Sequence, residues 1–289
     1  MSQTAPIRSI SFIGLGLIGM SLLQALKHSP LAARHSIRFQ GFDPNFSDLD
    51  QKQVEELGVD LFTPDKATLY SADLIILSAP VEVNIRLLEE IKEFAAPSTM
   101  VSDVSSTKSL IAQKARELGV PFIGMHPMAG KEQQGYRESH EELLRGRTII
   151  LCDDNRLLEE EKGQFLIRLL ESAGCTTISM SAEEHDRIIA KVSHLPQLLS
   201  TLLITYCKES ITASGPGFAT LARLAGSSWP IWHDIIATNR ENIADELEHF
   251  SRELSALSSE VRQGTLEPLA MRFNEANQLY QTLKARNQS

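Results

Sequence analysis

The segment Gly14-Leu15-Gly16-Leu17-Ile18-Gly19 matches the pattern G-x-G-x-x-G and directly follows a short β-type run, residues 9–13. A helical stretch begins immediately after it, and this strand, turn and helix context gives the glycines a physical meaning. The first glycine permits a tight turn, the second lets the backbone approach a pyrophosphate, and the third lets helix and strand pack closely. The phosphates then lie at the helix N-terminus. The residues predicted to hold the dinucleotide here are Gly14, Gly16, Leu17, Ile18 and Gly19.

Short β-type runs alternate with helical stretches through the first half of the chain. The runs cover residues 9–13, 37–42, 72–77, 100–104, 121–125 and 148–152. Helical periodicity between them covers residues 20–27, 83–94 and 108–118. This alternation is typical of β-α-β units, whose parallel strands form one sheet covered by helices on both faces. We therefore predict an α/β Rossmann-type domain with a mostly parallel sheet over residues 1–181.

The second half has helical patterns throughout, over residues 183–210, 230–263 and 266–286, with Gly215-Pro216-Gly217 as the first break. We predict an all-α domain over residues 182–289. Apolar residues recur there at heptad spacing, in one row of Ile236, Ile243, Phe250 and Leu257 and a second of Leu247, Leu254 and Val261. Such a stripe is as typical of a core-facing helix as of an interface, so alone it favours homodimerisation only weakly.

The second predicted strand leads into Asp43, a little beyond the usual spacing of about 20 residues after the last glycine of the motif. Its carboxylate can accept hydrogen bonds from both ribose hydroxyls of an adenosine and would repel a 2′-phosphate. The following Pro44 and Asn45 add no arginine to bind such a phosphate. NAD is therefore favoured over NADP. A turn-capping aspartate before Pro44 is the alternative interpretation.

Composition excludes several classes of function. The 289 residues carry 37 acidic against 28 basic side chains, a net charge of −9, and no Lys/Arg-rich run, so neither nucleic acid nor an anionic membrane surface is expected as a partner. No signal-peptide pattern is present and no apolar run approaches the ~20 residues that span a bilayer, which predicts a cytoplasmic protein. Three cysteines without C-x-x-C spacing, and histidines without a ligand motif, predict no metal site.

Ligands of open α/β sheets bind beyond the carboxyl ends of the strands. Three predicted loops lie at such ends, namely Ser78-Ala79-Pro80, Ser105-Ser106-Thr107-Lys108 and His126-Pro127-Met128-Ala129-Gly130. We expect all three to meet at the nicotinamide end of the cofactor, where the last would present an imidazole.

A dehydrogenase removes a hydroxyl proton as hydride leaves the same carbon, and the unperturbed pKa of histidine suits that task near neutral pH. His126 is the natural candidate, with a histidine that merely ends a strand as the alternative. Ser106 can hydrogen-bond the hydroxyl or the imidazole. An N-cap for the helix that begins near Lys108 is a strong alternative, and both roles can hold among the neighbouring Ser105, Ser106 and Thr107. Arg223 interrupts an apolar run, so a mostly buried guanidinium that anchors a carboxylate is expected there. His194 reads by default as a core histidine.

Four short motifs together resemble one known family. They are Asp103-Val104-Ser105-Ser106-Thr107-Lys108, His126-Pro127-Met128-Ala129-Gly130-Lys131-Glu132, Ser193-His194-Leu195-Pro196, and Gly217-Phe218 leading to Arg223. In order and spacing, from Gly14 to about Asn242, the chain resembles the prephenate and arogenate dehydrogenases of tyrosine biosynthesis. Each motif alone is modest, but the set is specific.

The resemblance implies oxidative decarboxylation of prephenate to 4-hydroxyphenylpyruvate with reduction of NAD. By motif position, His126 draws off the hydroxyl proton and Ser106 orients hydroxyl and imidazole. Arg223 binds a substrate carboxylate, His194 contributes to the substrate pocket, and Glu132 gates or organises that pocket. The family also pairs through its helical domain, which favours a homodimer interface on the heptad stripe.

Two segments depart from the family pattern. Ala219 and Thr220 stand where members often have a basic residue followed by aspartate, and Ser227-Ser228-Trp229-Pro230 stands where many have Ser-Asp-Pro. The missing basic residue leaves open whether the substrate is prephenate or arogenate. As a hypothesis, Lys131 substitutes for that residue.

Two other classes of function remain as alternatives. A dehydrogenase of the β-hydroxyacid type would use a lysine in the helical domain, for which Lys191 is available, but the His126 motif would then be unexplained. A non-catalytic NAD-sensing protein would keep the glycine motif alone, and the presence of His126, Ser106 and Arg223 argues against it.

Overall fold

The computed structural model describes residues 5–131, 133–264 and 266–286. Eight strands form one sheet in the order β3-β2-β1-β4-β5-β6-β7-β8. Neighbouring strands are parallel except for the pair β6 and β7, which is antiparallel. The strands are β1 (Ser9–Ile13), β2 (Arg38–Phe42), β3 (Leu61–Phe62), β4 (Leu74–Leu77), β5 (Met100–Asp103), β6 (Phe122–Pro127), β7 (Thr148–Cys152) and β8 (Thr176–Met180).

Helices cover both faces of the sheet in the first part of the chain and follow one another in the second. Those of the first part are α1 (Leu17–Lys27), α2 (Pro30–His35), α3 (Asp48–Glu56), α4 (Lys66–Tyr70), α5 (Val81–Phe94), α6 (Ser109–Leu118) and α7 (Glu161–Ser172). Those of the second part are α8 (Ala182–Ile189), α9 (Leu195–Tyr206), α10 (Pro216–Ala222), α11 (Trp229–Thr238), α12 (Arg240–Gln263) and α13 (Leu266–Arg286).

The centre of the sheet is apolar on both faces, as a parallel sheet between two helix layers requires. All four residues of β4 are buried, and Leu74 and Ile76 pack with α1 and α7 in one core while Ile75 and Leu77 pack with α5 and α6 in the other. The strand order reverses between β1 and β4. Ligands of such sheets bind at this switch point, beyond the carboxyl ends of the strands.

The predicted fold class is confirmed, and each of the six predicted strands is present with small changes at its ends. Two strands were missed. β3 has only two residues, and β8 is a largely exposed edge strand without an apolar run, so neither carries the pattern of a buried strand. The prediction of a loop at His126 and Pro127 is wrong, because these residues are the last two of β6.

The stretch from Ala182 to Tyr206 is continuous helix, because a π-helical turn at Ala190–His194 joins α8 to α9. By length and composition alone it could cross a membrane, so the expectation that no stretch approaches that length is wrong. The buried residues of α8 include His185 and Asp186, and α8 packs against α6 and β7. A core helix of a folded protein passes the same test.

The second half is helical, as predicted, but residues 230–263 do not form one helix. α11 ends at Thr238 and Asn239 leaves the helical conformation, and its side-chain amide donates to the backbone carbonyl of Asp186 at 2.8 Å. The first predicted heptad row is therefore interrupted, because Ile236 lies on α11 whereas Ile243 and the residues that follow it lie on α12. The second row lies entirely on α12.

The chain divides into two compact units, Met1–Arg240 and Glu241–Ser289. The first contains the sheet and the helices through α11. The second contains the length of α12 from Glu241 onward together with α13, and Arg272 of α13 forms ion pairs with Glu253 and Glu260 of α12. This unit leaves many large apolar side chains exposed, namely Leu247, Leu254, Leu257, Val261, Leu266, Met271, Phe273, Leu279, Tyr280 and Leu283.

Candidate active site

The glycine motif forms a tight turn that is closed from the side by the loop after β4. Gly14 has a φ of 91°, and a Cβ at this position would lie 2.7 Å from the backbone nitrogen of Ala79. A Cβ at Gly19 would lie 2.5 Å from the hydroxyl of Ser78, which itself donates to the carbonyl of Gly14 at 2.6 Å. Any side chain at these two glycines would push the Ser78 loop away from the turn.

The N-terminus of α1 is open for an anion. No side chain caps the helix at Gly16, and a Cβ built on Gly16 would meet no atom within 4 Å. Leu17 and Ile18 form the first turn, and both are half-buried. Free backbone N–H groups and the helix dipole at such a terminus favour phosphate groups. The turn therefore fits the pyrophosphate of a dinucleotide.

Asp43 lies just beyond β2, where the adenosine ribose of a bound dinucleotide would lie. One carboxylate oxygen accepts from the backbone nitrogen of Leu15 at 3.0 Å, and the other accepts from that of Asn45 at 3.0 Å. The carboxylate thus caps its own turn and also contacts the glycine motif. Each oxygen retains further acceptor capacity for a ribose hydroxyl.

Asn84, fully buried in α5, ties two of the predicted loops together. Its amide nitrogen donates to the carbonyl of Ala79 at 2.8 Å and to the hydroxyl of Ser105 at 3.0 Å. The preceding Pro80 is the N-cap residue of α5. The loop at residues 78–80 and the loop at 105–108 are therefore held side by side at the carboxyl ends of β4 and β5.

His126 stands at the carboxyl end of β6 and is 9% exposed. Its Nδ1 lies 2.9 Å from Nε2 of His185, and Nδ1 of His185 lies 2.8 Å from a carboxylate oxygen of Asp186. His185 and Asp186 are fully buried in α8. Within the described ranges no hydrogen bond occupies Nε2 of His126, and this nitrogen is not closed off from solvent. Nδ1 of the imidazole is thus anchored by His185, and Nε2 is available to a substrate.

A buried ion pair lies next to His126. Nζ of Lys108 is 2.6 Å from a carboxylate oxygen of Asp103, and both side chains are completely buried. Burial lowers the pKa of His126 well below its usual value, and the positive charges on His185 and Lys108, when present, lower it further. His126 is therefore neutral at physiological pH, which is the state that can accept a proton.

Ser106 does not cap α6, contrary to the alternative interpretation of this segment. The carboxylate of Asp186 caps that helix instead, accepting from the backbone nitrogens of Lys108 at 2.7 Å and Ser109 at 2.8 Å. The hydroxyl of Thr107 is hydrogen-bonded to that of Thr238. Ser106 is half-buried and its hydroxyl makes no hydrogen bond to the part of the chain that the structure describes, so it is available for a substrate hydroxyl.

His194 ends the π-helical turn, is 1% exposed, and packs edge-on against the ring of Trp232. The side-chain nitrogen of Asn239 lies 3.3 Å from its Nδ1, whereas its Nε2 is buried and has no hydrogen-bond partner among the described residues. Burial lowers the pKa of His194 to about 4. The same Asn239 nitrogen donates to the backbone carbonyl of Asp186 at 2.8 Å, which links His194 to the part of α8 that carries His185 and Asp186.

Arg223 is exposed, so the expectation of a mostly buried guanidinium is wrong. The apolar residues around it lie on α10 and the following turn, where only Ala222 is buried. Two side chains of α9 hold this turn, since Gln197 donates to the carbonyl of Leu224 and Ser200 accepts from the backbone nitrogen of Ala225. Gln197 follows His194 by three residues, so the turn that contains Arg223 is bonded to α9 about one helical turn beyond the histidine.

Three further predicted positions are Lys131, Glu132 and Lys191. Lys131 forms an ion pair with Glu138 at 3.0 Å, and Glu132 lies outside the described residues. Lys191, the lysine of the β-hydroxyacid alternative, is exposed. The structure also brings Glu82, His233 and Asp234 together, a cluster that the sequence pattern did not reveal because α5 and α11 are far apart in the chain. His233 in this cluster is hydrogen-bonded to Asp234.

Sequence reasoning missed five buried polar residues of the site, namely His185, Asp186, Asn84, Asp103 and Lys108 in its role as a buried cation. The sequence does contain a signal for His185 and Asp186. On α8 the adjacent His185 and Asp186 occupy the buried face between Ala182 and Ile189, where polar residues need partners. The partner of His185 is 59 residues away in the chain, so spacing alone could not identify it.

Fold and site together define a nucleotide-dependent dehydrogenase, with a cofactor turn, a neutral buried imidazole and an adjoining helical region. Comparison with known proteins is more specific. The model of the prephenate dehydrogenase nucleotide-binding domain matches residues 33–179, and that of the prephenate dehydrogenase dimerization domain matches residues 181–275. The chain belongs to the prephenate dehydrogenase family.

Individual relatives agree with this assignment. The chain is 28% identical to prephenate dehydrogenase of Lactococcus lactis, with 96% of this chain and 78% of that protein covered. It is similar to the crystal structure of A. aeolicus prephenate dehydrogenase in complex with hydroxyphenyl propionate and NAD+, at 26% identity and a TM-score of 0.85, covering 96% and 98% of the two chains. It is also similar to Synechocystis arogenate dehydrogenase, at 27% identity and a TM-score of 0.79, covering 94% and 99%.

Proposed function

We propose that this chain catalyses the NAD-dependent oxidative decarboxylation of prephenate to 4-hydroxyphenylpyruvate. The observation that carries the proposal is the neutral His126, anchored at Nδ1 and available at Nε2, beside two loops that Asn84 ties together at the cofactor turn. Family membership and the similarity to a prephenate dehydrogenase that binds NAD+ support the same reaction.

The proposed roles follow from which groups are available in the site. Nε2 of His126 accepts the proton of the substrate hydroxyl, and the Ser106 hydroxyl holds that oxygen in line with the imidazole. NAD held at the glycine motif and Asp43 would supply the acceptor for the hydride that leaves the carbon bearing the hydroxyl. Loss of the ring carboxylate as carbon dioxide makes the ring aromatic, and His126 returns its proton to the resulting phenolate oxygen. The residue thus acts first as base and then as acid.

Arg223 is proposed to bind a substrate carboxylate, with His194 lining the same pocket. The exposed guanidinium lies on a turn that Gln197 holds about one helical turn beyond His194, and arginine binds carboxylates with paired hydrogen bonds, which supports this role. Glu132 and Lys131 remain predicted pocket residues on the basis of motif position.

Arg223→Ala is expected to raise KM for prephenate by roughly 10-fold to 100-fold, the loss of a hydrogen-bonded ion pair worth about 1.5–3 kcal/mol. Steady-state kinetics with saturating NAD measures it, and KM for NAD serves as the internal control. An unchanged KM for prephenate would show that a residue other than Arg223 binds the carboxylate.

Asp43→Asn is expected to weaken NAD binding by about 10-fold and to reduce the discrimination against NADP, because the amide no longer repels a 2′-phosphate. The measurement is KM for each cofactor in wild type and variant. Asp48→Asn, a nearby exposed carboxylate on α3, is the matched control. An unaltered cofactor preference in Asp43→Asn would leave Asp43 with only its capping role.

A second candidate substrate is arogenate. Ala219 and Thr220 supply no basic side chain where the family often has one, and the similar Synechocystis protein is an arogenate dehydrogenase. The absorbance of reduced nicotinamide in purified protein, with each substrate paired with NAD and with NADP, separates the candidates. We expect prephenate with NAD to give the highest kcat/KM, and higher kcat/KM with arogenate would reverse the assignment.

We further propose a homodimer formed through the helical region. The many exposed apolar side chains of α12 and α13 support it, because monomeric soluble proteins rarely expose apolar surface of this kind, and residues 181–275 match a dimerization domain.

We keep the boundary between cofactor and helical domains at residue 181, which the limits of the two family matches support. A cytoplasmic location fits relatives that are bacterial prephenate dehydrogenases.

A further inference from the structure

We propose that His185 and Asp186 are positioning residues that fix the tautomer of His126, so that its Nε2 is the proton acceptor in the reaction. The inference rests on the proposed function for its kinetic consequences. Its structural content, which ring nitrogen of His126 carries the proton, can be measured without any substrate.

The direction of the hydrogen bonds follows from the acceptor at the end of the chain. An ionised carboxylate can only accept, so Nδ1 of His185, 2.8 Å from Asp186, must carry a proton. In a neutral ring this leaves Nε2 of His185 as an acceptor. Nδ1 of His126, 2.9 Å away, must then donate to it. The neutral ring of His126 consequently carries its lone pair on Nε2, the nitrogen without a hydrogen bond.

Asp186 is held in the ionised state that this argument needs. Burial alone would raise its pKa, but hydrogen bonds from His185 and from the backbone nitrogens of Ser109 and Lys108 outweigh burial and lower it. The two backbone donors belong to the first turn of α6, where the helix dipole also favours a negative charge. The carboxylate therefore satisfies the end of one helix while it orients a side chain on another.

The same carboxylate couples the two halves of the proposed catalytic apparatus. Through His185 it orients His126 on β6, and through the α6 terminus it holds the loop that carries Ser106. When the substrate O–H bond breaks and the proton binds Nε2 of His126, the imidazolium still donates from Nδ1 to His185. Its new positive charge is then shared with a ring that faces Asp186, in a buried region where an isolated cation would be costly.

Other charged groups around the two rings define the expected pH response. Lys108 from the start of α6 and His194 from the π turn disfavour protonation of His126, whereas Asp186 and Asp103 favour protonation of His185. Removing the charge of Asp186 should therefore lower the apparent pKa of the coupled imidazoles. A variant that merely loosened the site would admit water, weaken the dominant effect of burial and raise that pKa towards 6.5.

Asp186→Asn is the first test, since its amide is nearly isosteric and its single oxygen can still accept from one of the two backbone nitrogens at the α6 terminus. We expect kcat to fall on the order of 10²-fold, with KM for both substrates little changed. The acid limb of the pH profile should move to lower pH. A rise of that limb towards pH 6.5, or a change confined to KM, would show a structural role only and overturn the proposal.

His185→Gln and His185→Phe form a matched pair. The glutamine amide oxygen can accept from Nδ1 of His126 and preserve its tautomer, whereas phenylalanine fills the space without an acceptor. We expect kcat to decrease from wild type to His185→Gln and to decrease further in His185→Phe, while the thermal stability of the two variants is comparable. His249→Gln, at an exposed histidine of α12, should have no effect. Equal activity of the glutamine and phenylalanine variants would contradict the proposal.

The direct test is nitrogen-15 NMR of the histidine side chains in the full-length wild-type protein without substrate, with His126→Asn used to assign the His126 signals. We expect His126 protonated at Nδ1 and unprotonated at Nε2 at neutral pH. Protonation at Nε2 would overturn the inference whatever the enzyme's activity. Failure of the proposed function would instead appear as absent turnover with a correct tautomer, so the two failures are distinguishable.

Discussion

His126→Asn is expected to lower kcat by roughly 10²–10⁴, the usual contribution of general acid–base catalysis, while NAD still binds. Asparagine keeps a polar side chain beside His185 but has no group that accepts a proton near neutral pH. The cofactor turn is formed by other elements, the glycine motif, Ser78 and Asp43. Turnover and NAD affinity, from fluorescence titration, should therefore change independently.

The pH profile adds a second readout for the same residue. Because burial, His185 and Lys108 hold the pKa of His126 well below its usual value, wild-type kcat/KM should stay constant through the range in which an ordinary histidine titrates and decline only at lower pH. The exposed-histidine variant His249→Gln is the control. Near-normal turnover in His126→Asn would remove His126 from the mechanism.

Lys108→Met is expected to destabilise the fold by about 3–5 kcal/mol, the typical cost of leaving one partner of a buried ion pair uncompensated. Nζ of Lys108 contacts one oxygen of Asp103 at 2.6 Å, and the other oxygen of this fully buried carboxylate has no hydrogen-bond partner among the described residues. Without the lysine the carboxylate must either stay charged without a cation or take up a proton. Denaturant unfolding of wild type and variant at neutral pH measures the difference.

The double variant Lys108→Met/Asp103→Asn separates the charge from the shape of the pair. With both charges removed, most of the lost stability should return, since neutral groups of similar volume do not incur the cost of an isolated buried charge. Lys114→Met on the same helix removes only a partly exposed ion pair with Glu89 and should cost less than about 1 kcal/mol. A Lys108→Met variant as stable as Lys114→Met would contradict this account of the buried pair.

Much of the cofactor half followed from local sequence, because its determinants are local. The glycine motif, the strand before it and the aspartate after β2 lie within a short stretch, and each acts through backbone geometry that few other residues permit. The strands that were predicted are buried on the sheet and carry apolar runs. β8 was missed because an exposed edge strand needs no such run.

The electrostatic part of the site could not be predicted in the same way. The pairing of His126 with His185, and the capping of α6 by Asp186 in place of Ser106, both join segments far apart in the chain. The expected burial of Arg223 was wrong for a related reason. An apolar run does not by itself show that its residues are buried, and on α10 and the following turn only Ala222 is buried.

Hydride transfer and decarboxylation are proposed to occur on one substrate in this site. Purified protein given prephenate and NAD should form one carbon dioxide and one 4-hydroxyphenylpyruvate for each reduced nicotinamide, measured together by absorbance, carbon dioxide trapping and chromatography of the product. That equal stoichiometry is the result we predict. Reduction of NAD without release of carbon dioxide, or no reduction with either prephenate or arogenate, would contradict it.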